Sequence, residues 1–181
     1  PKDVLKCQKE MQMGNYYCGD VQVRGEYPYF AKQYWKENNI QIQMEEGDEA
    51  LLKEGTVDFY SFSYYMTNCV STDPNLEGIG GNLIGGVKNP YLKASDWGWQ
   101  IDPDGLRYTL NELYARYQVP LMVVENGLGA FDKLEEGNKV HDSYRIDYLR
   151  EHIKCMEEAI EDGVDLIGYT PWGCIDLVSA S

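Results

Sequence analysis

The stretch Val119-Pro-Leu-Met-Val-Val-Glu-Asn-Gly-Leu-Gly129 decides the expected fold class. Nearly every position from 119 to 124 is apolar, which predicts a strand buried on both faces of a parallel sheet. The run ends at the carboxylate Glu125, and Asn126 and Gly127 then turn the chain away. Catalytic side chains of α/β barrels lie at the carboxyl ends of such strands. Glu125 is therefore either a catalytic acid or a rim charge that pairs with a neighbouring base.

The composition limits the class of protein and its partners. A net charge of −14 repels phosphate backbones, so we expect no nucleic acid partner. The sequence has no long apolar span, signal peptide or lipidation motif, which predicts a cytoplasmic protein without a membrane partner. The five cysteines are scattered and form no Cys-x-x-Cys pair, which favours reduced thiols over disulfides or zinc. His141 and His152 lack metal-like spacing, and we interpret both as surface or packing residues.

No cofactor is predicted either. The glycine-rich run 78–86 resembles a phosphate-cradling loop, but no Lys-Ser or Lys-Thr pair follows it and no helix begins there. We expect it to form part of a long surface loop over 68–93.

Apolar spacing and β-propensity predict the order of secondary structure. We expect helices at 2–13, 29–39, 48–53, 103–117 and 142–162, strands at 56–66, 119–124 and 164–171, and a loop at 15–28. From residue 56 onward the order is strand, loop, helix, strand, helix, strand, which is typical of parallel α/β architecture. Asp48 and Asp102 are the predicted N-caps of their helices. Residues at helical spacing give each of the last two helices a predicted apolar face: Leu106, Leu110, Leu113 and Tyr117 in the first, and Ile146, Leu149, Ile153, Met156 and Ile160 in the second.

Five blocks of the sequence, in order, resemble glycoside hydrolase family 1. They are Arg24-Gly-Glu-Tyr-Pro28, Asp58-Phe-Tyr-Ser-Phe-Ser-Tyr-Tyr65, Trp99-Gln-Ile-Asp-Pro-Asp-Gly-Leu106, Val124-Glu-Asn-Gly127 and Gly168-Tyr-Thr-Pro-Trp172. The resemblance covers essentially the whole chain, and its motifs are most similar to those of the bacterial 6-phospho-β-glucosidases of the family. It implies that residues 1–181 form the C-terminal portion of a single (β/α)8 TIM barrel without its first strands and final helix.

The resemblance also implies a role for each site residue. Glu125 would be the nucleophile that forms a glycosyl-enzyme, and Tyr65 would hydrogen-bond its carboxylate and favour the ionised form. Trp172 would be the platform under the bound sugar. The alternatives are a packed aromatic for Tyr65 and a core residue for Trp172. Trp99 would border the outer cleft or, as we favour, pack in the core.

Ser179 and Ser63 depart from the pattern of the family's simple β-glucosidases, and the first departure concerns the substrate. Ser179 stands where those enzymes carry a Glu, and a hydroxyl can donate to a sugar 6-phosphate that a carboxylate would repel. The expected partner is therefore a phosphorylated β-glucoside, with a plain loop serine as the alternative interpretation. Ser63 replaces the Asn that the family usually places before the paired tyrosines, and the sequence assigns it no role.

The family's second carboxylate, the acid/base Glu of an Asn-Glu-Pro block, has no counterpart in the sequence. Retaining hydrolysis needs two carboxyl groups about 5 Å apart, and a (β/α)8 barrel usually needs about 250 residues. We therefore expect the rest of the barrel to be required and the isolated chain to be inactive. A β-glycosidase for unphosphorylated sugars and a non-catalytic sugar-binding domain are alternatives. Glucoside or galactoside preference, the aglycone and the oligomeric state stay open.

Overall fold

A computed structural model describes residues 1–76, 78 and 86–173 of the 181-residue chain. The chain divides into two compact units, Pro1–Tyr60 and Ser61–Ser181. Across the described ranges, no helix combines the length and the apolar character that a bilayer span requires.

The first unit is helical. Its elements are α1 (Lys2–Met11), a π-helical turn (Gln12–Tyr16), α2 (Tyr17–Arg24), α3 (Tyr29–Glu37) and α4 (Asp48–Glu54). The predicted helices at 2–13, 29–39 and 48–53 are confirmed with small changes of boundary.

The predicted loop at 15–28 is wrong, because most of it is helical. The ring of Tyr17 packs edge-on to Tyr27 and at a tilt to Phe30, so tertiary packing overrides the weak helix propensity of this aromatic and glycine-containing segment. The helix ends at Gly25, which has φ +66°. A Cβ on Gly25 would lie 2.5 Å from the Leu52 carbonyl oxygen, so this close approach requires glycine.

The predicted N-cap of α4 is wrong by one residue. Gly47 is the N-cap and Asp48 is the first residue of the helix. The Asp48 carboxylate instead accepts a hydrogen bond of 2.8 Å from the backbone N–H of Glu45, outside the helix. The side chain therefore closes the preceding turn, a role that short acidic side chains often take.

The second unit is built on a three-stranded sheet among the described residues. The order is β1 (Tyr60–Ser63), β2 (Leu121–Glu125) and β3 (Leu166–Tyr169), and β2 pairs with β3 in parallel. Helices α5 (Pro103–Tyr117) and α6 (Ser143–Glu161) connect the strands. This alternation confirms the predicted α/β class, although the strands are shorter than predicted.

Helix α5 follows the sequence prediction closely. Asp102 is its N-cap and accepts a hydrogen bond of 3.1 Å from the Gly105 N–H, with Pro103 in the first turn. The predicted apolar face is confirmed, since all of its members are buried: Leu106, Leu110, Leu113 and Tyr117.

The apolar face predicted for α6 is only partly the buried one. Met156 is buried and Leu149 is half-buried, but Ile146, Ile153 and Ile160 are about half exposed, at 52%, 50% and 52%. The buried side chains are Tyr148, His152, Cys155, Met156 and Ala159. The helix turns this face inward because the Tyr148 hydroxyl reaches hydrogen-bond partners at the ends of the strands, whereas an isoleucine there would leave those polar groups unpaired.

Candidate active site

Glu125 is the last residue of the central strand β2, and its side chain is exposed. Its carboxylate accepts two hydrogen bonds, both at Oε2: 3.1 Å from the Ser63 hydroxyl and 3.0 Å from the Tyr65 hydroxyl. The Glu125 carbonyl oxygen accepts from the Tyr64 N–H at 2.8 Å, which extends the pairing of the two strands to this point. The predicted contact between Tyr65 and Glu125 is therefore present.

The described partners of Glu125 bear on its two sequence interpretations, a catalytic acid or a rim charge. Within the described residues it forms no ion pair, and both of its side-chain partners are neutral hydroxyl donors. Glu125 therefore lacks, in this part of the chain, the basic partner that a rim charge would have. Oε1 accepts no hydrogen bond from any described residue.

Tyr65 stays a hydrogen-bond donor over the whole ordinary pH range. Burial raises the pKa of its phenol well above the usual value, and the hydrogen bond to Glu125 and the charge of that carboxylate raise it further. A phenolate beside the Glu125 carboxylate would place two negative charges together, which explains the direction of the shift.

Asn126 is the hub of a buried network behind Glu125. Its side chain is 0% exposed and uses both ends of the amide. Nδ2 donates to the Tyr64 carbonyl oxygen at 2.8 Å and to the Tyr148 hydroxyl at 2.9 Å, and Oδ1 accepts from the Tyr169 hydroxyl at 3.1 Å. Burial raises the pKa of Tyr169 to about 12, so this hydroxyl is a donor. Asn126 thus joins all three strands to α6.

Tyr148 carries this network forward to the site. Its hydroxyl donates to the backbone carbonyl oxygen of Tyr65 at 3.1 Å, which fixes the residue that holds Glu125. The ring stacks on His152 with centroids 3.9 Å apart. His152 Nδ1 lies 2.7 Å from the Tyr148 carbonyl oxygen and must donate to it, because a carbonyl can only accept.

His152 is fully buried, as a packing histidine would be. Its Nε2 atom has no hydrogen-bond partner among the described residues. Burial lowers the pKa of the imidazole, so the ring is neutral near pH 7. His141, by contrast, is exposed, and its Nδ1 atom lies 2.9 Å from Oε2 of Glu135.

Aromatic rings form one side of the site. The Tyr65 ring meets Trp99 edge-on at 5.3 Å and Trp172 edge-on at 6.1 Å between centroids. Trp99 is only 5% exposed, which agrees with the core-packing interpretation. Trp172 is half-buried, and its backbone N–H donates to the Asn126 carbonyl oxygen at 2.8 Å. A Cβ on Gly127 would lie 2.7 Å from the Trp172 carbonyl oxygen, so the backbone approach here requires glycine.

Of the four site residues predicted from sequence, the structure brings together Glu125, Tyr65 and Trp172. Ser179 lies outside the described residues. The residues that sequence reasoning missed are Ser63, Asn126 and Tyr148. Ser63 carried a usable signal, because residues two apart on a strand point to the same side and Tyr65 was already assigned. Asn126 and Tyr148 carried none, since their roles depend on which strands become neighbours.

The fold and the site together define a partial (β/α)8 barrel that holds a strand-end carboxylate beside aromatic side chains, as carbohydrate-cleaving barrels do. The chain belongs to glycosyl hydrolase family 1, whose profile matches residues 1–181.

Two relatives and one solved structure show which members of the family the chain is similar to. The chain is 62% identical to the aryl-phospho-beta-D-glucosidase BglH of Bacillus subtilis (strain 168) and 55% identical to a 6-phospho-beta-glucosidase of Clostridium longisporum. Each match covers 100% of this chain and 39% of the relative. The beta-glucosidase from Thermotoga maritima in complex with castanospermine superposes with a TM-score of 0.74 at 28% identity, over 94% of this chain and 37% of that one. The chain therefore spans about two fifths of the length of these proteins.

Proposed function

We propose that Glu125 is the nucleophile in the retaining hydrolysis of 6-phospho-β-D-glucosides by a barrel of which residues 1–181 are the C-terminal portion. One observation carries the proposal: two neutral hydroxyls bind Oε2 of a strand-end carboxylate, and Oε1 accepts no hydrogen bond from the described residues. This arrangement orients an ionised carboxylate without neutralising it, which a nucleophile requires.

The reaction would proceed in two displacements. In the first, a bond forms between Glu125 and the anomeric carbon, and the bond to the aglycone oxygen breaks with its electron pair staying on that oxygen. In the second, water attacks the anomeric carbon and the glycosyl ester breaks, which returns the carboxylate. Tyr65 would hold Glu125 in line during both steps. Trp172 would lie under the sugar, because an apolar ring face packs against its C–H groups.

The first displacement also needs a proton for the aglycone oxygen, and the second needs a base for water. We assign both roles to a carboxylic acid in the remainder of the barrel. The support for this assignment is that the sequence has no Asn-Glu-Pro block and that the relatives are more than twice as long. The isolated 181-residue chain is then expected to show no turnover.

The proposed substrate carries a 6-phosphate. The relatives at 62% and 55% identity bear the names of phospho-glucosidases. Ser179 would contribute a hydroxyl where a carboxylate would repel the phosphate. Because the chain carries a net charge of −14, phosphate binding must be built from local donors.

We also propose a cytoplasmic location. Four cysteines in the described residues, Cys7, Cys18, Cys69 and Cys155, are free thiols. Free thiols are typical of a reducing compartment.

The first experiment tests the nucleophile in the full-length protein that carries this sequence. A 2-deoxy-2-fluoro 6-phospho-β-glucoside with a dinitrophenolate leaving group should inactivate the enzyme and label Glu125, as read by peptide mass spectrometry. Glu125→Gln removes the charge and should abolish both labelling and turnover. A protein that binds the sugar but acquires no label at Glu125 would be a sugar-binding domain instead.

The second experiment tests the phosphate. Nitrophenyl β-glucosides with and without the 6-phosphate are compared by kcat/KM, with Ser179→Ala and Ser179→Glu as variants. We expect the phosphorylated substrate to be preferred and Ser179→Glu to lose that preference more strongly than Ser179→Ala. Equal rates on both substrates would support the alternative, a β-glycosidase for unphosphorylated sugars.

A further inference from the structure

We propose that Ser63 is a positioning residue for Glu125 and that, together with Tyr65, it selects Oε1 as the attacking oxygen. This inference rests on the proposed function, because it assigns a role within the same reaction. It goes beyond that function in two ways. It names the attacking oxygen of Glu125, and it names a residue, Ser63, on which the rate of the second displacement depends more than the rate of the first.

The geometry places both hydroxyls on one oxygen. Ser63 is the last residue of β1 and Tyr65 follows two positions later. Their oxygens lie 3.1 Å and 3.0 Å from Oε2. A carboxylate oxygen has two lone pairs, so two donors occupy Oε2 fully. No described residue donates to Oε1, so its lone pairs are left for an incoming carbon atom. Rotation of the carboxylate by a quarter turn would break both hydrogen bonds, whereas a half turn only exchanges two equivalent oxygens, so the attacking oxygen is always the one that the two hydroxyls do not bind.

The two donors differ in how they are supported. The position of Tyr65 is fixed by ring contacts to Trp99 and Trp172 and by the hydrogen bond from Tyr148 to its carbonyl oxygen. Ser63 is exposed, and its described side-chain contact is the one to Glu125. A serine hydroxyl that serves packing or strand pairing would show a backbone or core partner. Strand β1 positions Ser63, and the described partner of its hydroxyl is the Glu125 carboxylate.

The two displacements make opposite demands on this pair of donors. In the first, an Oε1–carbon bond forms, the carbon–aglycone bond breaks, and the charge of the carboxylate disappears into the ester. Donors on Oε2 stabilise the charged starting state, so they assist this step only by orienting the group. In the second, water adds to the carbon, the Oε1–carbon bond breaks with its electrons returning to the carboxylate, and charge develops on the group. The donors on Oε2 then stabilise the transition state directly.

Loss of the Ser63 hydroxyl should therefore slow the second displacement more than the first. A hydrogen bond to a charged group corresponds to roughly tenfold or more in rate. The substrate for the test is 2,4-dinitrophenyl 6-phospho-β-glucoside, whose leaving group departs without a proton and makes the second displacement limiting. In the full-length enzyme we expect Ser63→Ala to lower kcat about tenfold and to lower KM as well, because the glycosyl-enzyme accumulates. kcat/KM should change less than threefold.

A rescue variant separates positioning from a merely structural effect. Ser63→Thr keeps the hydroxyl and should restore both kcat and KM. If Ser63→Ala lowers the unfolding midpoint, Ser63→Cys provides the same test with a side chain of similar size and a weak donor.

The outcomes distinguish this inference from the proposed function. Absence of the 2-fluoro label at Glu125 in the unchanged enzyme overturns both. A labelled enzyme in which Ser63→Ala leaves kcat and KM unchanged overturns the Ser63 inference alone. An equal fall of kcat and kcat/KM that Ser63→Thr does not restore also overturns it, because a general disturbance of the strand end would act in that way.

Discussion

Replacement of Asn126 by alanine is expected to destabilise the strand ends that carry the candidate site. The side chain is fully buried and forms three hydrogen bonds, to the Tyr64 carbonyl, the Tyr148 hydroxyl and the Tyr169 hydroxyl. Asn126→Ala removes all three and leaves a small cavity. Tyr64 and Tyr148 are buried and Tyr169 is half-buried, so water has little access to replace the amide.

The size of the effect follows from the groups left unpaired. The Tyr64 carbonyl loses the Asn126 donor and the Tyr169 hydroxyl loses its acceptor, and each buried unpaired group costs about 1–3 kcal/mol. Tyr148 loses an incoming donor but keeps the carbonyl of Tyr65 as its acceptor, which limits its share. We expect Asn126→Ala to lower the free energy of unfolding by about 3–5 kcal/mol, a large part of the ~5–15 kcal/mol of a typical domain.

The assay is urea unfolding of the full-length protein, followed by tryptophan fluorescence. Asn111→Ala is a matched control, because Asn111 donates at 3.0 Å to the Arg107 carbonyl and at 3.0 Å to Asp162, near the surface of α5. We expect that variant to lose no more than about 1 kcal/mol. Equal losses in the two variants, or a loss below about 1 kcal/mol for Asn126→Ala, would refute the assignment of Asn126 as the hub of the network.

Three further predictions concern pH, backbone approach and the tyrosine donor. Burial lowers the pKa of His152, so the unfolded state binds the proton more readily than the folded state. The free energy of unfolding should therefore fall as the pH drops below about 6.5, as measured by urea midpoints from pH 7.5 to 5. This pH dependence should weaken in His152→Phe and persist in His141→Phe. Gly127→Ala should lower turnover at least tenfold by displacing Trp172, whereas Gly14→Ala, whose Cβ meets nothing within 4 Å, should leave turnover unchanged; equal activity of the two variants would contradict the close approach. Tyr65→Phe should lower kcat about 10- to 100-fold while thermal unfolding moves by only a few degrees, and an unchanged kcat would exclude the hydrogen bond to Glu125 from the mechanism.

The comparison of α5 with α6 shows what the sequence could predict. The buried face of α5 consists of leucines and a tyrosine at helical spacing, so apolar periodicity alone identifies it. The inward face of α6 carries Tyr148 and His152, and periodicity assigned the interior to isoleucines that are half exposed. Apolar spacing predicts which apolar side chains are buried, but it cannot predict a buried polar side chain whose hydrogen-bond partners come from distant strands.

The same limit applies to the site. Glu125, Tyr65 and Trp172 were predicted because short blocks around them resemble a family, and the structure brings these three residues together. Strand alternation could place Ser63 on the same side as Tyr65. Its contact to Glu125 also required knowledge that β1 and β2 are neighbours with their ends aligned, which the hydrogen bond from the Tyr64 N–H to the Glu125 carbonyl oxygen provides. Strand pairing over about sixty residues of sequence leaves no local pattern from which such an alignment could be derived.

Glu125 and Asn126 show why stability and chemistry are inseparable at this strand end. Neighbouring residues of an extended chain point to opposite sides, and here one side chain is exposed in the site while the next is 0% exposed. A shift of β2 by one residue would bury a carboxylate without a cation and expose the amide that joins the three strands. Burial of an unpaired charge costs several kcal/mol, so the Asn126 network excludes that register. The hydrogen bonds that stabilise the strand ends are therefore also what presents Glu125 to the hydroxyls of Ser63 and Tyr65.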